Sequence, residues 1–312
     1  MTDSVRGDSG AGGFYALHPN TTSDNQTNST NSFVTAIGSD GFTLGSNDTV
    51  NVAQPFVSYN WFGGTSSGIT TNGATTITPS AYSFNATSKF SVLKYTGNGT
   101  GGAKLAHGLG VAPEFILIKN LGSANGWGIY HANNEGFNTT SASANEILIL
   151  NTDAGRADDA AFFNDTAPDS VNITFGNSGT TNDTDNTYIA YCFASVKGYS
   201  QIGQYKGNGE PEGPMIYTGF RPAWCLIKQT NTSGQGWGLF DSTRGVRNVN
   251  EWEFQANTTA AENLANHEVD FYSNGINIRT NGAMLNGSGT YCYLAFAEFP
   301  VVASNNTPAV AK

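Results

Sequence analysis

Apolar residues along the chain fall into short runs of strand length, separated by stretches of Gly, Asn, Thr and Ser. Period-two alternation is clear in Ser170-Val171-Asn172-Ile173-Thr174-Phe175, Thr187-Tyr188-Ile189-Ala190-Tyr191-Cys192-Phe193-Ala194, Gly275-Ile276-Asn277-Ile278 and Thr290-Tyr291-Cys292-Tyr293-Leu294-Ala295-Phe296-Ala297. Alternation predicts strands, because successive side chains of an extended chain point to opposite faces. Phe115-Ile116-Leu117-Ile118-Lys119 and Trp224-Cys225-Leu226-Ile227-Lys228 are nearly continuous apolar runs, as expected of strands buried between two sheets. A helical turn is hinted at only in Ala260-Ala261-Glu262-Asn263-Leu264-Ala265.

The runs repeat in order. Val92-Leu93-Lys94-Tyr95-Thr96-Gly97-Asn98-Gly99 returns about 110 residues later as Ile202-Gly203-Gln204-Tyr205-Lys206-Gly207-Asn208-Gly209, each a strand entering a turn whose Gly and Asn tolerate positive φ. The Pro-led runs ending in Lys119 and Lys228 follow in register, and then Gly126-Trp127-Gly128-Ile129-Tyr130 and Gly236-Trp237-Gly238-Leu239-Phe240. Two full modules are predicted, over residues 90–197 and 198–300, with a C-terminal tail at 301–312. Each is expected to be an antiparallel β-sandwich, which makes the chain all-β.

Residues 1–62 read as the second half of a third module. Asp3-Ser4-Val5-Arg6-Gly7 matches Asp241-Ser242-Thr243-Arg244-Gly245, Ser39-Asp40-Gly41-Phe42-Thr43-Leu44 matches Ser273-Asn274-Gly275-Ile276-Asn277-Ile278, and Phe56-Val57-Ser58-Tyr59-Asn60-Trp61-Phe62 matches the closing strand. A half-sandwich exposes strand edges and an apolar face. Another chain, or another copy of this one, is therefore expected to supply the missing strands. Residues 63–89, rich in Gly, Ser and Thr, read as an extended linker with an edge strand at Thr75-Thr76-Ile77-Thr78.

Composition sharpens the picture. Charged residues are 12% of the 312, while Gly alone numbers 38, so amides and hydroxyls carry the polar surface. A net charge of −10 with only 14 Lys and Arg argues against a nucleic-acid partner. No window of membrane-spanning length is apolar, and Met1-Thr2-Asp3-Ser4-Val5-Arg6 lacks the form of a signal peptide, so synthesis in a cytosol without membrane insertion is expected. Cys192, Cys225 and Cys292 lack metal-ligand spacing and read as buried free thiols.

The ordered set Tyr95-Thr96-Gly97-Asn98-Gly99, then Gly108-Leu109-Gly110-Val111-Ala112-Pro113-Glu114-Phe115-Ile116-Leu117-Ile118-Lys119, then Thr187 through Ala194 resembles a known family. That family is the tandem module of unknown function found in structural, tail-fibre-like proteins of marine and cyanobacterial tailed phages. Gly213-Pro214-Met215-Ile216-Tyr217-Thr218-Gly219-Phe220-Arg221-Pro222-Ala223-Trp224 is the most specific match, and the likeness spans residues 3 to 299. The resemblance implies a virion structural role and supplies no catalytic residue. Because the chain begins mid-module and has no added lectin-like domain, capsid decoration stands beside a fibre role.

Candidate sites are few. His18, His107, His131 and His267 are scattered, and since His107 matches Tyr217 and His131 matches Asp241, these read as ordinary surface or turn histidines. No nucleophile stands on a recognisable turn, so neither an enzyme nor a cofactor is expected. The Asp-rich stretches 153–159 and 182–186 offer hard oxygen ligands without the spacing of an EF-hand, and read as solvated loops rather than Ca²⁺ sites. Arg6-Gly7-Asp8 is explained by the repeat, and Asn-x-Ser/Thr triplets such as Asn98-Gly99-Thr100 follow from Asn and Thr abundance. Trp127, Trp224 and Trp237 fall in the recurrent strand pattern and are expected to be core, leaving Trp252 and Tyr82 as the candidate exposed contacts for a partner or a glycan.

The expected function is assembly on the outside of a phage particle. Partners would be other virion proteins and further copies of the chain, a trimer among the candidate forms. The alternative is a carbohydrate-binding adhesin that contacts a host surface glycan through exposed aromatics. A β-sandwich hydrolase would need clustered carboxylates in a cleft.

Overall fold

The computed structural model describes residues 1–10, 12–26, 33–134, 146–245, 247–262 and 267–300. The chain is all-β, built from antiparallel sheets that pack as sandwiches. Residues 1–62 hold β1 (Val34–Ile37) paired with β2 (Phe42–Leu44), and β3 (Ala81–Asn85) follows.

The first module contains β4 (Phe90–Thr96), β5 (Ala103–Ala106), β6 (Phe115–Asn120), β7 (Gly128–His131), β8 (Glu146–Ile149), β9 (Ala157–Asp158), a helical turn α1 (Ala160–Phe163), β10 (Asn172–Phe175) and β11 (Thr187–Phe193). Its large sheet runs β3-β4-β11-β6-β7-β8-β9 and packs on the pair β10-β5. The second module contains β12 (Ser200–Lys206), β13 (Met215–Tyr217), β14 (Pro222–Gln229), β15 (Trp237–Asp241), β16 (Glu253–Gln255), β17 (Val269–Tyr272), β18 (Gly275–Ile278), α2 (Ala283–Asn286) and β19 (Thr290–Ala297). Its large sheet, β12-β19-β14-β15-β16, packs on β13-β18-β17. The order of the central strands is the same in both.

Alternation along each strand fills two different cores. In β6, Ile116 and Ile118 point inward to a cluster with Leu93, Tyr95, Leu105, Ile173, Phe175 and Tyr188. Phe115 and Leu117, on the other face, join a cluster that also takes Leu17 from residues 1–62 and Trp224, Leu226, Leu294 and Phe296 from the second module. The second module has its own inner core around Cys225, Ile227, Ile276, Ile278 and Tyr291. Both faces of β6 and β14 are therefore buried, which is why their sequences read as unbroken apolar runs.

Each Gly-Asn-Gly turn is clamped by a buried amide. Asn182 Nδ2 donates to Asn98 Oδ1 (3.3 Å), Thr100 O (3.0 Å) and Gly176 O (2.8 Å), while Asn98 N donates to Asn182 Oδ1 (2.9 Å). Asn286 repeats this on Asn208, Glu210 and Thr280. Gly99 and Gly209 turn at φ +66° and +73°, a region costly for side-chain-bearing residues. A Cβ on Gly207 would lie 1.9 Å from Gly287 O.

Several expectations are corrected. The stretch 63–89 carries its edge strand at a different place. Its strand is β3, not Thr75–Thr78, where only Ile77 bridges Leu105; Tyr82 and Phe84 give 81–85 the aromatic alternation that pairs it with β4. Residues 56–62 match the closing strands in sequence but belong to no ladder, because the strands that flank β11 and β19 have no counterpart among the described residues beside them. Trp127, Trp224 and Trp237 are core residues as expected, in the cluster on the outer faces of the large sheets. His107 and His131 are buried and hydrogen-bonded, not surface residues. Ala260–Glu262 form no helix; Asn263–Ala265 of that hint and the tail 301–312 lie outside the described residues.

Candidate functional site

The outer cluster is where three sectors meet: residues 1–62, the first module and the second module. Two side chains of each module reach back to the sector before it. Trp127 Nε1 donates to the carbonyls of His18 (3.1 Å) and Thr21 (3.2 Å), and Lys119 Nζ to Thr22 O (3.1 Å). One module further on, Trp237 Nε1 donates to Ile149 O (3.2 Å) and Lys228 Nζ to Asp153 O (3.4 Å). Asn25 N and Arg156 N complete the matching sets on Leu121 O (3.3 Å) and Thr230 O (2.6 Å).

The local sequence explains this placement. In Gly-Trp-Gly the glycines face inward, where Gly128 lies under Thr180 and Phe162 and Gly238 under Met284, so the indole faces outward. The lysines end the apolar strands on the same outer face. Burial lowers both ammonium groups to about 8, with the nearby Asp24 and Asp153 opposing that shift. Their remaining donors go to the module's own carbonyls, Asn125 O (2.9 Å) for Lys119 and Gln235 O (2.7 Å) for Lys228.

A second set of contacts passes round the sectors in one sense. Asp3, His131 and Asp241 occupy equivalent positions, each accepting the backbone N–H two residues on. Asp3 and Asp241 also hold the guanidinium three residues on, Arg6 and Arg244, each through Nε at 2.5 Å. The closing segment of a neighbouring sector then reaches each position. Tyr191 Oη donates to Asp3 Oδ2 (2.7 Å) and Tyr59 Oη to Asp241 Oδ2 (2.7 Å), while His131 Nε2 bonds Tyr293 O (3.2 Å). The first module thus touches residues 1–62, which touch the second module, which touches the first. Burial pushes the Asp241 carboxyl up, but the hydrogen bonds from Tyr59 and Arg244 hold it below its ordinary value.

At the centre of this ring stand Trp61, Phe193 and Phe296, the equivalent residues of the three closing segments. Their centroids are 6.1 Å (Trp61–Phe193), 5.4 Å (Trp61–Phe296) and 5.7 Å (Phe193–Phe296) apart, all edge-to-face. Such contacts add about 0.5–1.5 kcal/mol each beyond the burial of area. Three equivalent residues in mutual contact place the sectors in a pseudo-threefold relation. Repeat comparison had paired these residues; that they meet was not readable from it.

The candidate contacts Trp252 and Tyr82 lie elsewhere. Trp252 is 39% exposed, its backbone N–H bonded to Asn250 Oδ1, and it makes no ring contact among the described residues. Tyr82 is half-buried against Phe84, with its hydroxyl accepting the N–H of Ile69 at 3.3 Å, so it is not a free platform. No group of three His, Cys, Asp or Glu side chains is set to hold a metal among the described residues. Asp159 caps α1 and Asn182 is a buried turn clamp, which gives both Asp-rich stretches local structural tasks. A cleft of about 390 Å³ beside Phe84, Lys89 and Leu109 has the Lys89 ammonium bonded to Leu109 O at 2.9 Å.

No curated protein and no solved structure matches the chain. One family model, described as a domain of unknown function (DUF7483), matches residues 1–300 and so takes in all three sectors. The chain belongs to that family.

Proposed function

We propose that the chain is a non-enzymatic structural protein of the bacteriophage exterior, as part of a fibre or tail appendage or as a capsid decoration, acting through protein–protein assembly. The observation that best supports this reading is how its buried polar groups are used. Lys119, Lys228, Trp127, Trp237, Asp3, Asp241 and His131 all bond across sector boundaries. Chemistry that could have served a substrate instead holds repeats together. The low-charge surface of amides and hydroxyls and the sequence likeness to phage tail-fibre-like modules support the same reading.

The test is fractionation of a lysate in which the chain is made. The protein should band with gradient-purified particles and be cleaved by protease added to intact particles. Recovery only from the soluble fraction overturns the proposal. The exposed Trp252 favours a second reading, a glycan-binding adhesin. That reading requires binding on a glycan array that Trp252→Ala abolishes.

A further inference from the structure

Two of the three sector boundaries carry a tryptophan and a lysine donor, and the acceptor for a third set is already built. His18 and Ile149, which accept the indoles, also accept the N–H of the threonine three residues on, Thr21 (3.3 Å) and Thr152 (3.4 Å). Gln255 O accepts Thr258 N at 3.3 Å in the same way. The three threonine hydroxyls accept the N–H of Ser23, Ala154 and Ala260 in turn. The loop is therefore formed three times, and among the described residues no indole meets the third.

The same gap is visible in residues 1–62. Phe42, Leu44 and Phe56 are 40%, 38% and 52% exposed, whereas their equivalents are fully buried: Ile276 and Ile278 under the large sheet, and Tyr291 on β19, flanked in that sheet by β12 and β14. Residues 1–62 thus present the inner face of a sandwich that no described residue covers. Met1 is the equivalent of Ile129, the second residue after Trp127.

We propose that this face binds the first half of a module of the same type, carried by a polypeptide outside residues 1–312. Its chemistry follows from the two modules that have it: a strand entering a Gly-Asn-Gly turn, an apolar strand ending in lysine, and Gly-Trp-Gly. The strands cover Phe42, Leu44 and Phe56 and give residues 56–62 their ladder partners. The indole N–H donates to Gln255 O and the ammonium to Thr259 O, the counterparts of Ile149 O and Asp153 O. A second copy cannot offer this segment without opening its own modules, because β6 and β14 are already buried in it. The proposal rests on the assembly reading and names the partner's chemistry.

The test joins residues 88–128 of this chain directly ahead of Met1 of the full chain, which restores the module's own register. Amide exchange at residues 42–44 and 56–62 should slow by at least about tenfold, and fluorescence of a dye that binds apolar surface should fall. Trp127→Ala in the added segment alone should return most of both signals. Unchanged exchange and dye binding overturn the proposal. So does light scattering that shows the unmodified chain as a dimer with this face already protected. Particle fractionation reads the assembly proposal separately, so either can fail alone.

Discussion

Trp61 meets Phe296 edge-on, their ring centroids 5.4 Å apart, although one ends the first sector and the other the last. With the Tyr59–Asp241 hydrogen bond, the contact closes into a ring what would otherwise be an open row of repeats. Trp61 also touches Phe193 and Trp224. Trp61→Ala should therefore cost about 2–4 kcal/mol, somewhat less than a fully buried large-to-small change because the indole is only partly buried. Denaturant unfolding measures the loss, and exchange at residues 56–62 should rise with it. A loss below about 0.5 kcal/mol, the range of ordinary surface changes, would show that the ring is not held at its centre.

The two boundary tryptophans should behave as a pair. Trp127→Phe and Trp237→Phe keep an aromatic ring and remove the N–H, leaving buried carbonyls without that donor. Each should cost about 1–3 kcal/mol. Equal losses are expected from unfolding curves, and a loss confined to one variant would break the equivalence of the two boundaries.

How far the sequence foretold this is shown by the same residues. Gly-Trp-Gly and the lysine-bearing strands were legible, because the repeat preserves their order and spacing. Which face of the sheet the tryptophans occupy was not legible. Alternation says that neighbours point to opposite sides but not which side is the sandwich core, and here both sides are covered. β3 carries only two aromatic residues, Tyr82 and Phe84, an alternation too short to stand out in a stretch rich in Gly, Ser and Thr. His131 seemed interchangeable with Asp241, and its burial depends on Tyr293, a contact between modules that single-module patterns do not contain.

Acid should act through His131. Burial lowers this imidazole from 6.5 to about 4, so the folded protein holds it neutral while the unfolded chain takes up a proton below about 6.5. The stabilising contribution is complete above 6.5 and lost as pH falls towards 4, by about 3 kcal/mol at one pKa unit per 1.36 kcal/mol. His107, also lowered by burial, adds in the same direction. Stability measured between pH 7 and 4 should fall less steeply in His131→Asn than in the unmodified chain. An unchanged slope would remove His131 from the acid response.

Asn286 is predicted to be among the costliest single polar side chains to remove. It makes four hydrogen bonds around the Gly207-Asn208-Gly209 turn and is fully buried. Asn286→Ala strands Asn208 N and two carbonyls without that partner, for an expected loss of about 2–4 kcal/mol. Asn182→Ala should match it in the first module. Thermal unfolding of the two variants checks both values, and a shift within error of the parent would mean water replaces the amide at little cost.

His131 stands where the other two sectors have Asp3 and Asp241. In a ring of identical subunits one gene position appears three times, so a carboxylate could not become an imidazole at one place alone. Joined in one chain, the three places are inherited separately. Evolution can then tune each joint by itself, making one sensitive to acid while the other two keep their ion pairs, and can give a threefold body one side unlike the other two.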